Sequence, residues 1–176
     1  HNLHQPEFVG LSNYRVLITS ASFWNAAWNS ALFTVGVVPA MVTLPIGMAL
    51  LVNGKLAGIS LIRALLYLPV ITSLVVVGIA WKWLYAEGGL LNYLLSFFGF
   101  PKIAWLSQPE TALLAIMVVV VWKGLAYYMM MYLAHLQQLQ PELYESAELD
   151  GAGLLRRHWH ITLPQLKNAM AMVAII

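Results

Sequence analysis

The sequence predicts an all-α, polytopic transmembrane helical bundle, and three observations predict it. Hydrophobic residues make up 61% of the 176 positions and charged residues only 9%, where a soluble domain carries about 25% charged residues. Mean hydropathy is +0.76. Three stretches, 29–53, 61–85 and 110–136, are each long and apolar enough to cross the roughly 30 Å hydrocarbon core of a bilayer. A net charge of +2 and a pI near 8.9 are too mild and too scattered for nucleic-acid binding. The chain has no cysteine, which excludes a disulfide framework and thiolate chemistry.

Residues 1–28 are mixed in character, and Tyr14, Phe23, Trp24 and Trp28 precede the first apolar run. Amphipathic rings in that position suit the membrane–water interface, so an interfacial helix is expected. The first span, near 29–53, carries no charge. Pro39 and Pro45 each remove an intrahelical bond, which predicts a bend near its middle. That bend reads either as a helix beside a pathway or as ordinary packing irregularity. The second span, near 61–85, is interrupted by Pro69 and Gly78 and closes on Trp81-Lys82-Trp83. Lys82 lies within a turn of the end, where its side chain reaches water by snorkelling. Residues 86–108 form a loop with an amphipathic piece, Leu90 to Phe98.

The third span, near 110–136, contains Lys123, 13 residues from Glu110 and 12 from His135. The nearest interface is then roughly 15 Å away, too far for easy snorkelling. An ionisable group at that depth is by default a functional-site hypothesis, facing a polar cavity or a partner chain. The alternative is a lysine that caps carbonyls of a neighbouring helix. Tyr127, one turn along the same face, and Tyr128 beside it are candidates to stack on a solute in a translocation pathway; the alternative for both is packing. A fourth span begins near 168 and reaches Ile176 inside an apolar run. Both ends of the chain therefore read as cuts, and 1–176 is expected to be one membrane domain truncated at each end. Lysines and arginines are more numerous on the side holding 54–63 and 135–167 (Lys55, Arg63, Arg156, Arg157, Lys167) than on the other (Arg15, Lys102, with Lys82). The positive-inside rule then places the 137–167 loop in the cytoplasm.

That loop holds four of the seven acidic residues, in PELYESAELDGAGLLRRHWHITLP from Pro141 to Pro164. Pro141 suits a first helical position, with Glu142 and Glu145 favourably near the N-terminus. Gly151 and Gly153 bracket a break where the backbone turns without a Cβ penalty. A second helical piece presents Leu154, Leu155, His158 and Trp159, and Pro164 is expected to open the helix that follows.

Glu145-Ser146-Ala147, three residues, Gly151, nine residues and Ile161-Thr162-Leu163-Pro164 resembles the EAA loop of binding-protein-dependent ABC-transporter permeases. That pattern reads EAA, three residues, Gly, nine residues, I-x-L-P; Ser146 for the first Ala is the one departure. Tyr144, Asp150 and Ala152, together with Phe8-Val9-Gly10-Leu11, Asn13-Tyr14 and Gly89-Leu90-Leu91-Asn92-Tyr93, resemble the sugar-transporting branch. The resemblance implies the fold of an ABC importer permease in a prokaryotic inner membrane. It implies an ATPase-coupling role for Glu145, Ser146, Ala147, Asp150, Gly151, Ala152, Ile161, Leu163 and Pro164. It also implies partners: an ATP-binding cassette ATPase dimer, a second permease subunit, an extracytoplasmic solute-binding protein and membrane lipid.

Catalytic patterns are missing from the sequence. Gly54-Lys55 lacks the upstream glycine of a phosphate-binding loop, there is no HExxH, and no G-x-S-x-G elbow occurs. A transport subunit rather than an enzyme is expected, with no cofactor on this chain and ATP and Mg on the partner ATPase. The expected cargo is a carbohydrate. A permease for another solute, such as a polyol phosphate, or a secondary transporter are the alternatives.

Overall fold

The computed structural model describes residues 10–54 and 58–176; Phe8, Val9 and Lys55 lie outside them. Among the described residues every regular element is helical: α1 Ser12–Thr19, α2 Ala21–Val52, α3 Ile59–Ile71, α4 Leu74–Leu84, α5 Leu90–Phe97, α6 Pro109–Leu136, α7 Pro141–Leu149, α8 Leu154–Arg157, a π turn His158–Thr162, and α9 Leu163–Ile175. The chain forms two compact units, one ending at Val35 and the other running from Gly36 to Ile176.

In the first unit α1 ends at Thr19, whose hydroxyl donates back to the Arg15 carbonyl. Trp24 indole N–H donates to the Ile18 carbonyl at 2.7 Å, and Phe23 meets Trp24 edge to face. Trp24 and Trp28 lie inside α2, because this helix starts at Ala21, well before the expected span at residue 29.

In the second unit α2 continues through Pro39 and Pro45 to Val52. Its C-terminal carbonyl, on Val52, accepts from Arg63 through Nε at 3.2 Å and Nη2 at 2.5 Å. Helix ends leave carbonyls without intrahelical partners and carry partial negative charge, so a guanidinium is well suited there. The long helix α6 packs against α3 and α9. Ala126, Met129, Tyr132, Leu133 and Leu136 are buried on α6, and Leu166, Ala169 and Val173 on α9. These sets recur at three- and four-residue spacing, which places each on a single helical face. Small residues admit close approach elsewhere: a Cβ at Gly36 would lie 3.0 Å from Met117 Sδ, and one at Gly124 would overlap the Met41 side chain.

The expected second span is not a single rod. It consists of α3 and α4, bent by 98° at a two-residue break. The break falls at Thr72 and Ser73, both extended, while Pro69 and Gly78 lie inside helices. Pro69 weakens the last turns of α3 by removing an N–H; the chain then leaves the helix three residues later. The fourth span differs too. Pro164 stands in the first turn of α9 as expected, but α9 is not a separate helix, because the chain is already helical from Leu154 and runs through the π turn to Ile175. A proline cannot donate to the carbonyl four residues back and its ring crowds that carbonyl. The wider π turn, immediately N-terminal to Pro164, is how the helix absorbs it.

The loop between α4 and α6 is built on Asn92, which is 2% exposed. Its Nδ2 donates to the carbonyls of Ala86 and Ile103 at 3.2 and 2.9 Å. Its Oδ1 accepts from the Ile103 N–H at 3.0 Å and the Trp105 indole N–H at 3.2 Å. Gly89 sits where a Cβ would collide with the carbonyl oxygens of Trp83, Leu84 and Ala86, so only glycine fits.

Candidate functional site

Two places in the second unit gather the chemistry. The first is the broken span. The last four carbonyls of a helix need partners from outside it, and at the end of α3 they find two. Thr72 hydroxyl donates to the Leu68 carbonyl at 2.8 Å. Lys123 Nζ, reaching across from α6, donates to the carbonyls of Pro69 and Thr72 at 3.0 Å each. A cation thus sits at the negative end of the α3 dipole, in the bend. Lysine as a cap for a neighbouring helix, the alternative weighed from sequence, is the contact seen.

The same lysine lines a cavity of about 390 Å³ with Met41, Val70, Leu74, Gly124, Tyr127 and Tyr128. Tyr127 and Tyr128 meet edge to face with ring centroids 5.3 Å apart. A second cavity, about 420 Å³, shares Leu74, Val119 and Val120 with the first and extends to Lys82, Tyr85 and Ala115. Beside it runs an aromatic column in which Trp122 packs on Trp81, Trp81 on Tyr85 and Tyr85 on Trp105. Tyr85 closes it by donating its hydroxyl proton to the Ala115 carbonyl at 2.9 Å.

The second place is the turn between α7 and α8. At the end of α7 the Ala152 N–H donates to the Ala147 carbonyl at 2.9 Å and the Gly151 N–H to the Glu148 carbonyl at 3.0 Å. With Gly151 at φ +75°, this is a Schellman cap, in which the left-handed residue satisfies two orphan carbonyls. Gly153 is different. It is extended and has open space where a Cβ would stand, so only Gly151 needs to be glycine. Arg157 of α8 bridges back to Glu148 of α7 at 3.0 Å; the arginine side chain is 16% exposed and the glutamate 70%. Glu142, Glu145, Ser146 and Asp150 are exposed along α7 and its end, Ala147 and Ala152 half-buried. Ser146 hydroxyl donates to the Glu142 carbonyl, a local bond that keeps it on its own helix. Ile161 and Leu163 are half-buried and Pro164 exposed on the following helix.

Between Ile161 and Leu163 stands Thr162, wholly buried. Its hydroxyl is 2.9 Å from the Tyr144 hydroxyl and 3.2 Å from His158 Nδ1. Thr162 occupies the variable position of I-x-L-P, so the motif gave no reason to select it. The signal present in the sequence was a threonine four residues after a histidine, a spacing that places both on one helical face.

Residues 21–176 match the family described as binding-protein-dependent transport system inner membrane component. The chain belongs to that family. Among its relatives is the sulfoquinovosyl glycerol transport system permease protein of Agrobacterium fabrum, 35% identical over 96% of this chain. Another is the arabinooligosaccharides transport system permease protein of Bacillus subtilis, 32% identical over 98% of this chain. The chain spans 55% and 56% of the lengths of these two proteins. In structure it is similar to a chain of a bacterial ABC transporter involved in the import of the acidic polysaccharide alginate. The TM-score is 0.87, with 26% identity over 97% of this chain and 61% of the other. A second alginate transporter structure, in complex with a pentasaccharide-bound periplasmic protein, gives a TM-score of 0.85 and 28% identity, over 95% of this chain and 59% of the other. As a binding-protein-dependent inner membrane component, this chain is a multi-pass, all-α bundle of the ABC importer permease type.

Proposed function

We propose that this chain is the transmembrane subunit of an ATP-driven importer for a carbohydrate, and that α7 is its coupling helix to the ATPase. The observation that carries the reading is the α7–Gly151–α8 turn. It presents an exposed acidic face, ends in a cap that requires glycine, and leads directly into the helix that becomes the fourth span. In this reading the loop is cytoplasmic, and α7 seats in a groove of an ATP-binding cassette dimer. ATP and Mg are held by that dimer. A second permease subunit completes the pathway, and an extracytoplasmic binding protein delivers the solute. Closure of the ATPases shifts α7, and the continuous helix from Leu154 to Ile175 transmits the shift into the membrane, a rigid-body exchange between two states.

The pathway is assigned to the cavity of Lys123, Tyr127 and Tyr128, where two aromatic rings and an ammonium, all from α6, line one cavity beside the bent span. Carbohydrate relatives and an alginate transporter of the same fold support sugar as the cargo class. Glu145→Arg tests the coupling. In the full-length permease assembled with its ATPase and second subunit in proteoliposomes, the substitution is expected to abolish ATP-driven uptake of labelled arabino-oligosaccharides, trehalose or alginate pentasaccharide, whichever the wild type carries. Uptake and stimulated ATP hydrolysis at wild-type levels would end the coupling reading.

A further inference from the structure

We infer that the Thr162 hydroxyl is the joint that registers α7 on the membrane-entering helix, which makes Thr162 a positioning residue for coupling. This rests on the coupling reading above and adds to it a specific mechanical connection. The turn at Gly151 is a covalent link between α7 and α8, but a glycine turn with open space around it permits rotation. Something else must hold the two helices in one register if motion of α7 is to reach α9. Among the described residues two side-chain links cross the turn. Arg157–Glu148 is one, and its carboxylate is exposed, so water competes for it. The other is Tyr144–Thr162–His158, centred on a threonine with no exposed surface.

Thr162 suits that role chemically. A hydroxyl donates one hydrogen bond and accepts others at the same time. It can therefore satisfy Tyr144 from α7 and His158 from its own π turn together. The π turn contributes by carrying His158 and Thr162 in a wider helical turn just before Pro164. Removal of the hydroxyl takes a partner from two half-buried side chains and leaves the Arg157–Glu148 ion pair, with its exposed carboxylate, as the remaining side-chain hydrogen bond across the turn among the described residues.

The experiment uses the full-length permease assembled with its ATPase and second subunit; residues 1–176 hold no cysteine, and any cysteine elsewhere in the assembly is first replaced by serine. Spin labels at exposed positions Leu149 and Lys167 report the distance between α7 and α9, without nucleotide and with ATP–vanadate. The wild type is expected to give one narrow distribution in each state. Thr162→Val and Tyr144→Phe should each broaden it at least twofold, Thr162→Ser should restore it, and the double variant should be no broader than either single one. Equal narrow distributions in Thr162→Val and the wild type would overturn the inference, as would additive broadening in the double variant. If Thr162→Val does not assemble, Tyr144→Phe decides the matter, because its half-buried ring is retained. A cysteine at 145 cross-linked to the ATPase separates the two levels. No cross-link in the wild-type background removes the coupling reading itself, whereas a cross-link with unchanged distances in the variants removes only the role of Thr162.

Discussion

Lys123 shows how one side chain serves two demands. Its ammonium satisfies two carbonyls that the bend between α3 and α4 leaves exposed, and the same group forms part of a cavity wall. Hydrogen bonds to a charged group contribute about 1.5–3 kcal/mol each. Lys123→Met keeps the length and loses both bonds, so the bend should relax. We expect at least a tenfold fall in uptake while the variant still co-purifies with the ATPase; uptake unchanged in proteoliposomes would confine Lys123 to a passive cap. Gly151 makes a comparable claim on backbone grounds. A left-handed conformation costs an L-residue roughly 1–2 kcal/mol, so Gly151→Ala should lower the thermal midpoint of the detergent-solubilised permease, whereas Gly153→Ala should leave it unchanged. Depth in the apolar run made Lys123 legible in the sequence, and motif spacing did the same for Gly151. The partners of Lys123 were not legible, because Pro69 and Thr72 are more than fifty residues away and contribute only backbone oxygen.

At the scale of elements, the α4–α6 loop depends on one buried amide. Asn92 makes four hydrogen bonds among Ala86, Ile103 and Trp105, and a buried group that loses its partner costs about 1–3 kcal/mol. Asn92→Ala should therefore free residues 100–108, and limited trypsin digestion should cut after the exposed Lys102 several-fold faster than in wild type. Equal cutting rates would mean that the loop is held by its aromatic contacts instead. Helix type and order followed readily from apolar length, and α5 and α6 lie close to where periodicity put them. The breaks did not follow. Proline and glycine were the visible punctuation at 69 and 78, yet the chain breaks at Thr72–Ser73, where a lysine from another helix donates to the freed carbonyls. Pro164 does mark the first turn of α9, but the π turn before it, which keeps the backbone helical from Leu154, was not legible. The break at Thr72–Ser73 is met by a tertiary partner, which local propensity does not report.

At the scale of the molecule, the proposed transmission runs from the acidic α7 through a capped turn into a helix continuous from Leu154 to Ile175. Its side in the membrane can be measured directly. A single cysteine at Glu145 in inside-closed, right-side-out vesicles should resist a membrane-impermeant maleimide until the vesicles are opened, while one at exposed Tyr93 should react at once. The reverse pattern would place the loop on the outer face. The most direct test of transmission is Gly151→Pro, measured for ATP hydrolysis and uptake together in the reconstituted transporter. Proline fixes φ near −65°, where Gly151 stands at +75°, and removes the N–H that caps Glu148. The account predicts that solute-stimulated hydrolysis and uptake both fall at least tenfold while the complex remains assembled. Stimulation and uptake at wild-type levels would contradict it.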